Sequence, residues 1–330
     1  MNAELTDRAL PELSQPAKVD SLAPLLVGIT AVLIWAGTPV ATRFAVDTID
    51  PVAVGLLRTA LAGIVAVPIV LALKLPPPRT LHERRLLAGS ASVHLIFPVL
   101  FSIGVKHTTV AHAALALAVL PLFTGVIAAL FERRLPAGRW WIGVAIALAG
   151  EVALVGSSLG FDEPGVTLLG DAIVFGSCIV CAFGYVVGGR LTRTYGTIAA
   201  TLWGAVLAGA AALPAVAVFG TGGLAEAAFP SLVALLYLAG AGSLLGYLAW
   251  YWALAHGGIG RIGVIQFIQP VLTLVLAVLI VGETITLPLA GATVLILVGV
   301  AAAGWRHSRP RSTRYHSTAR AQATTADPRS

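Results

Sequence analysis

The chain has 330 residues, 58% of them hydrophobic and only 11% charged, with a mean hydropathy of +0.91. Soluble domains run at roughly 45–50% apolar and about 25% charged, so the apolar excess must face lipid; a soluble enzyme, a secreted disulfide scaffold and a disordered regulator are excluded. The net charge of +6 does not indicate nucleic acid as a partner, because the basic residues punctuate apolar runs and form no patch.

In chain order, residues 1–21 read as a polar cytoplasmic tail without the basic n-region of a cleavable signal peptide. Ten apolar runs follow, each near the roughly 20 residues that a membrane helix needs. The first half holds 22–42, 51–73, 86–105, 109–131 and 139–157; the second holds 167–189, 197–219, 229–254, 262–282 and 287–305. Residues 306–330 form a basic tail that reads as disordered, lying along the anionic inner leaflet. With the N-terminus inside, 18 of the 21 lysines and arginines fall on the cytoplasmic side. Only Arg43 and Lys106 fall outside, and Arg58 lies within a span. That bias predicts a multi-pass protein of the cytoplasmic (inner) membrane with both termini cytoplasmic.

The two halves repeat each other. Around Pro121 the chain reads "LALAVLPLFTGVIAALFERRLPAGRWWIGVAIALAG", and around Pro270 "VIQFIQPVLTLVLAVLIVGETITLPLAGATVLILVG". Pro121 to Gly143 is 22 residues and Pro270 to Gly291 is 21; Arg43 to Pro68 is 25 and Arg190 to Pro214 is 24. A unit with an odd number of spans enters the second time from the opposite face. The expected fold is therefore an all-α integral membrane protein, ten transmembrane helices as two inverted five-helix repeats, 22–157 and 167–305. Pro98, Pro121 and Pro270 are expected helix kinks, whose freed carbonyls must be satisfied by protein or by a cavity.

These motifs resemble the EamA family of the drug/metabolite transporter superfamily. The resemblance rests on "WAGTPVATR", Arg58 early in the second span, "LPLFTGVIAALFERRLP" with "GVAIALAG", and "QPVLTLVLAVLIVGETI" with "GATVLILVGV". It covers residues 22–305 and departs in one spacing: Glu132 follows Pro121 by 11 residues, Glu283 follows Pro270 by 13. The resemblance implies export, or less often uptake, of small polar metabolites such as amino acids, with spans 1–4 and 6–9 around a cavity and spans 5 and 10 peripheral.

Charges inside a bilayer are costly and face wet interiors. Arg58 lies about 10 Å below the outer face; it either recognises a substrate carboxylate or phosphate by its planar fork or clasps helix-end carbonyls. Glu151 is a proton-coupling carboxyl, a hydrogen bond to a neighbouring helix, or a contact in a homodimer. His94 and His112 are struts or proton relays, and His94 is also expected in the substrate-binding set of the central cavity. Gln266 and Gln269, three residues apart beside Pro270, share a helix face and line the cavity or glue helices together. Trp35, Trp203 and Tyr247 complete the expected substrate-binding set by stacking or packing. Gly184–Gly188 and Gly242–Gly246 have the spacing of close helix seams. Cys178 and Cys181 read as two small apolar residues, since a soft-metal site needs more ligands. No cofactor, metal or phosphate-cradling loop is expected.

The expected function is a secondary transporter, not an enzyme, moving a small molecule by alternating access. The rivals are a lipid-modifying membrane enzyme and a non-transporting receptor or scaffold. The outer acids Asp162, Glu163 and Asp171 stand without a histidine or basic partner close in sequence, which disfavours the enzyme.

Overall fold

The computed structural model describes residues 22–133, 138–160, 166–257, 262 and 264–304. The terminal tails, Asp162, Glu163 and Trp305 lie outside these, as do the side chains of Glu132 and Glu151. In lipid every backbone N–H and C=O must be paired within the chain, and runs this apolar satisfy that as helices. The described residues are accordingly helical: α1 (Ala23–Ala36), α2 (Thr38–Thr48), α3 (Pro51–Ala72), α4 (Leu81–Ser90), α5 (Ser92–Lys106), α6 (Val110–Ala118) and α7 (Leu120–Glu132) come first. Then follow α8 (Gly138–Gly160), α9 (Leu168–Tyr195), α10 (Thr197–Phe219), α11 (Phe229–Tyr237) and, after a π-helical turn at Leu238–Leu245, α12 (Gly246–Gly257). A 3-10 turn at Val264–Ile268 leads into α13 (Gln269–Leu276) and a second π-helical turn at Ala277–Val281, and α14 (Leu287–Gly304) ends the bundle.

The protein is an all-helical membrane protein with seven long apolar helices and shorter ones. The seven cover 23–48, 51–72, 81–106, 110–131, 168–192, 197–219 and 229–253, each at least 22 residues long. The remaining expected spans, 139–157, 262–282 and 287–305, contain the shorter apolar helices Trp140–Gly150, Gln269–Val281 and Leu287–Ala302.

Several helix limits differ from the sequence expectation. The first span does not stop at 42; it breaks at Gly37 and continues as α2 to Thr48, so Arg43 sits on a helix and not in a loop. The third begins at Leu81, five residues early, because Thr80 and Glu83 form a capping box: the Thr80 hydroxyl accepts the Glu83 N–H at 3.1 Å, and the Glu83 carboxylate accepts the Thr80 N–H at 3.1 Å. The sixth runs on to Tyr195, stopped by Gly196 at φ 83°. Pro121 and Pro270 each stand in the first turn of a new helix, α7 and α13, whereas Pro98 lies inside α5.

α8 and α14 pack along each other at one side, and α3 lies against α10, α5 against α9 and α1 against α12. The α3–α10 crossing is backbone to backbone: a Cβ on Gly63 would stand 2.7 Å from the Gly209 Cα, so only glycine allows this approach. Large apolar side chains such as Leu33, Leu71, Val152 and Leu279 remain exposed around the bundle, as a lipid-facing surface requires.

One set of helix ends is tied by polar contacts. The Lys106 ammonium donates to the Val46 carbonyl at 2.6 Å, capping the C-terminus of α2. The Asp50 N–H donates to the Gly222 carbonyl at 2.8 Å, and the Thr48 hydroxyl to Ser231 Oγ at 3.0 Å. Both residues expected outside, Arg43 and Lys106, belong to elements that meet at this end.

Candidate functional site

The site begins with the break between α1 and α2. Pro39 has no N–H to give to the preceding turn, so carbonyls around Gly37 lose their helical partners. Hydroxyls from elsewhere in the chain replace them: Tyr237 Oη donates to the Ile34 carbonyl at 2.5 Å, and Thr273 Oγ1 to the Ala36 carbonyl at 3.0 Å. The break is thus held from α11 on one side and α13 on the other, and Trp35 and Thr38 are fixed at its two lips.

The π-helical turn at Leu238–Leu245 supplies the second wall. The widened turn brings Ser243 over the Leu238 carbonyl, which accepts its hydroxyl at 2.9 Å. With its proton committed there, Ser243 Oγ accepts from Arg58 Nε at 3.3 Å and Nη2 at 3.1 Å. The Trp35 indole N–H donates to the Gly242 carbonyl at 3.1 Å. Gly246 has no alternative here, because a Cβ would stand 2.5 Å from Trp35 Nε1.

These groups surround a central cavity whose non-atom space, open solvent included, is about 480 Å³. Of the expected set, Trp35, Arg58, Tyr247, Gln266 and Gln269 line it together, joined by Thr38, Phe97, Tyr185 and Cys181 from the opposing helices. The Trp35 and Tyr247 rings meet edge to face at 5.1 Å, and Tyr185 lies 6.2 Å from Tyr247. A second space of about 370 Å³ adjoins it between α6 and α13, reaching Pro121 and Pro270 and sharing Gln266 and Gln269.

Other expected residues sit elsewhere. His94 lies behind Tyr247, rings 4.9 Å apart, and packs on Gly204 without lining the cavity. Trp203 packs against the clusters around Val70 and Leu202 and around Leu87 and Leu191, and does not line the cavity. Glu151 belongs to α8, which pairs with α14 away from the cavity. Cys178 is buried with its thiol towards the Ala116 carbonyl at 3.4 Å, and neither Cys178 nor Cys181 is in a disulfide. Among the described residues no group of three or more potential metal ligands occurs.

Asp171 has no histidine or basic partner close in sequence, and the fold supplies a distant one. Asp171 is buried on α9 with Oδ2 3.0 Å from His112 Nδ1 of α6, while its Oδ1 accepts the Thr108 hydroxyl. The partners are 59 residues apart in the chain, so no local spacing could have paired them. Thr38 and Ser243, also missed, are small hydroxyl residues without any distinguishing pattern in sequence.

The model of the EamA-like transporter family matches residues 22–156 and 168–305, nearly the whole helical part of the chain. The chain belongs to the EamA-like transporter family. This places it in the drug/metabolite transporter superfamily as a membrane transporter. The EamA-like chain is 33% identical over 276 residues to the uncharacterized transporter YdeK of Bacillus subtilis (strain 168), covering 84% of this chain and 95% of YdeK. It is 30% identical over 283 residues to the uncharacterized inner membrane transporter YedA of Escherichia coli (strain K12), covering 80% of this chain and 85% of YedA. A solved crystal structure shares the fold with a TM-score of 0.61 at 20% identity, covering 85% of this chain and 96% of that one. The two matched segments mark the EamA-like chain as duplicated halves.

Proposed function

We propose that this EamA-like protein is a secondary transporter that exports a small polar metabolite, an amino acid or related compound, across the cytoplasmic (inner) membrane by alternating access. In this reading ten spans form two inverted five-helix repeats, 22–157 and 167–305, with both termini cytoplasmic. The observation that carries it is the central cavity, where Arg58 and Trp35 of one half face Tyr247, Gln266 and Gln269 of the other. A site shared between repeats is where a rocking motion changes access.

The burial along one span supports an inward-facing arrangement. From Val110 to Leu120 every residue but Leu117 is buried, whereas from Phe123 to Leu130 none is. In the proposed orientation the first stretch is the outer half. His112 with Asp171 is the proposed proton-coupling pair, because it joins α6 of this span to α9 of the other repeat.

Counterflow in proteoliposomes tests the reading. Wild-type protein exchanges a labelled metabolite well above empty vesicles, and Arg58→Ala and Gln269→Ala lose at least about tenfold of that flux while remaining monodisperse in detergent. Wild-type flux from both variants removes the site assignment, and no exchange with any metabolite of a broad library removes the transporter reading.

A further inference from the structure

Arg58 is only 3% exposed, within a membrane helix. A guanidinium remains charged at neutral pH, and a buried charge is costly unless a counter-charge meets it. Here its hydrogen bonds go to one neutral hydroxyl, Ser243. No aspartate or glutamate of the described residues lines either cavity. Arg58 Nη1 and Thr38 Oγ1 are both buried and find no partner among the described residues. The two side chains are neighbours: a point at the Cβ position of Gly242 is 3.6 Å from Arg58 Nη2 and 3.6 Å from Thr38 Oγ1, and both residues line the central cavity. Ser243 holds the Nε–Nη2 edge of the fork, and Nη1 is left without a bond among the described residues.

We infer that the cavity binds an organic monocarboxylate with a flat apolar body, its carboxylate held by Arg58 and Thr38 and its body packed against Trp35, Tyr247 and Phe97. One guanidinium balances one negative charge, so a dianion would leave charge unmatched in a dry site. The planar fork suits a carboxylate held by two parallel bonds. The walls are largely aromatic, as the walls of small-molecule sites usually are. A matching zwitterion is disfavoured, because its ammonium would lie near the guanidinium with only the neutral amides of Gln266 and Gln269 to receive it. The inference rests on the transport reading for the claim that the bound acid is moved, and narrows its small polar metabolite to an acid without an ammonium, in place of an amino acid.

Four probes with one body and different charge test it on the full chain in nanodiscs: 3-phenylpropionate, L-phenylalanine, phenethylamine and 3-phenylpropan-1-ol. Tryptophan fluorescence titration reads binding. The carboxylate binds at least about tenfold tighter than the zwitterion and the alcohol, and the amine is weakest. Arg58→Gln weakens 3-phenylpropionate about 10- to 100-fold, as loss of a charge-assisted hydrogen bond does, and leaves the alcohol unchanged. Thr38→Val weakens the carboxylate several-fold and, with the wild-type series, decides the matter where Arg58→Gln does not fold. Equal or tighter binding of phenylalanine or the amine, unchanged carboxylate binding in Arg58→Gln, or no carboxylate binding to wild type each overturns the inference. Counterflow separates the two readings: carboxylate binding without carboxylate flux keeps the acid site and counts against transport, whereas phenylalanine or amine flux without carboxylate binding keeps transport and overturns the acid site.

Discussion

The carboxylate of Glu283 accepts the backbone N–H of Val110 at 2.7 Å, across 173 residues of chain, and its other oxygen accepts the Ala111 N–H at 2.9 Å. The first turn of a helix leaves its N–H groups without partners and carries a partial positive charge. An acid from the far repeat fills both roles at α6. This clasp lies at the end of the bundle where Lys106 caps α2, so that end is closed by charge meeting helix termini.

Glu283→Ala is expected to lower stability by about 1–2 kcal/mol, the loss typical of a strong N-terminal cap. Glu283→Gln retains one acceptor and loses less. Thermal melting in a fixed detergent reads both; melting temperatures equal to wild type would show that water replaces the clasp without cost.

For the His112–Asp171 pair, removing one partner takes a buried hydrogen bond from the other. Asp171→Ala is expected to cost about 1–3 kcal/mol, and the Asp171→Ala, His112→Ala double variant less than the sum of the singles by at least about 0.5 kcal/mol. A double-mutant cycle that closes additively would mean that the two side chains do not support each other.

Tyr237→Phe and Thr273→Val each remove a hydroxyl that satisfies a carbonyl at the Gly37 break. Each is expected to cost about 1 kcal/mol. Hydrogen exchange around residues 34–38 should rise in the double variant more than elsewhere in α1, and uniform exchange along α1 would count against a local role for these bonds.

At Gly246 a methyl group would meet the Trp35 indole. Gly246→Ala is expected to displace Trp35, break its bond to Gly242 and weaken binding of the carboxylate probe by at least about tenfold, with an overpacking cost of about 1–3 kcal/mol. A shift in tryptophan emission checks the displacement, and native emission with native binding would refute it.

Hydropathy made the helices legible, because lipid demands long apolar runs whatever their detailed packing. Charge bias and the Pro121 and Pro270 segments exposed the duplication, since both reflect constraints written locally in the chain. The cavity was legible where its residues are conspicuous, as with Arg58, Trp35, Tyr247, Gln266 and Gln269. It was not legible at Thr38 and Ser243, whose importance comes from what the broken first span and the widened turn bring near them. The Thr80–Glu83 capping box was present in the sequence as T-x-x-E and marks the start of α4 better than hydropathy did. The Asp171–His112 pairing depended on tertiary structure alone.

The π-helical turn at Leu238–Leu245 has a further consequence for how the pocket can change. A π-helical turn accommodates about one more residue than the α-helical turn it replaces. Deleting Ala241 would let the turn close to the regular α-helical path, while Tyr247 and Trp250 beyond it keep the side they face. What would be lost is the widened arc itself, from which the Gly242 carbonyl meets the Trp35 indole and Ser243 meets Arg58. In this chain one surplus residue shapes a wall of the pocket, so loss of one codon would flatten that wall and leave the rings beyond it in register.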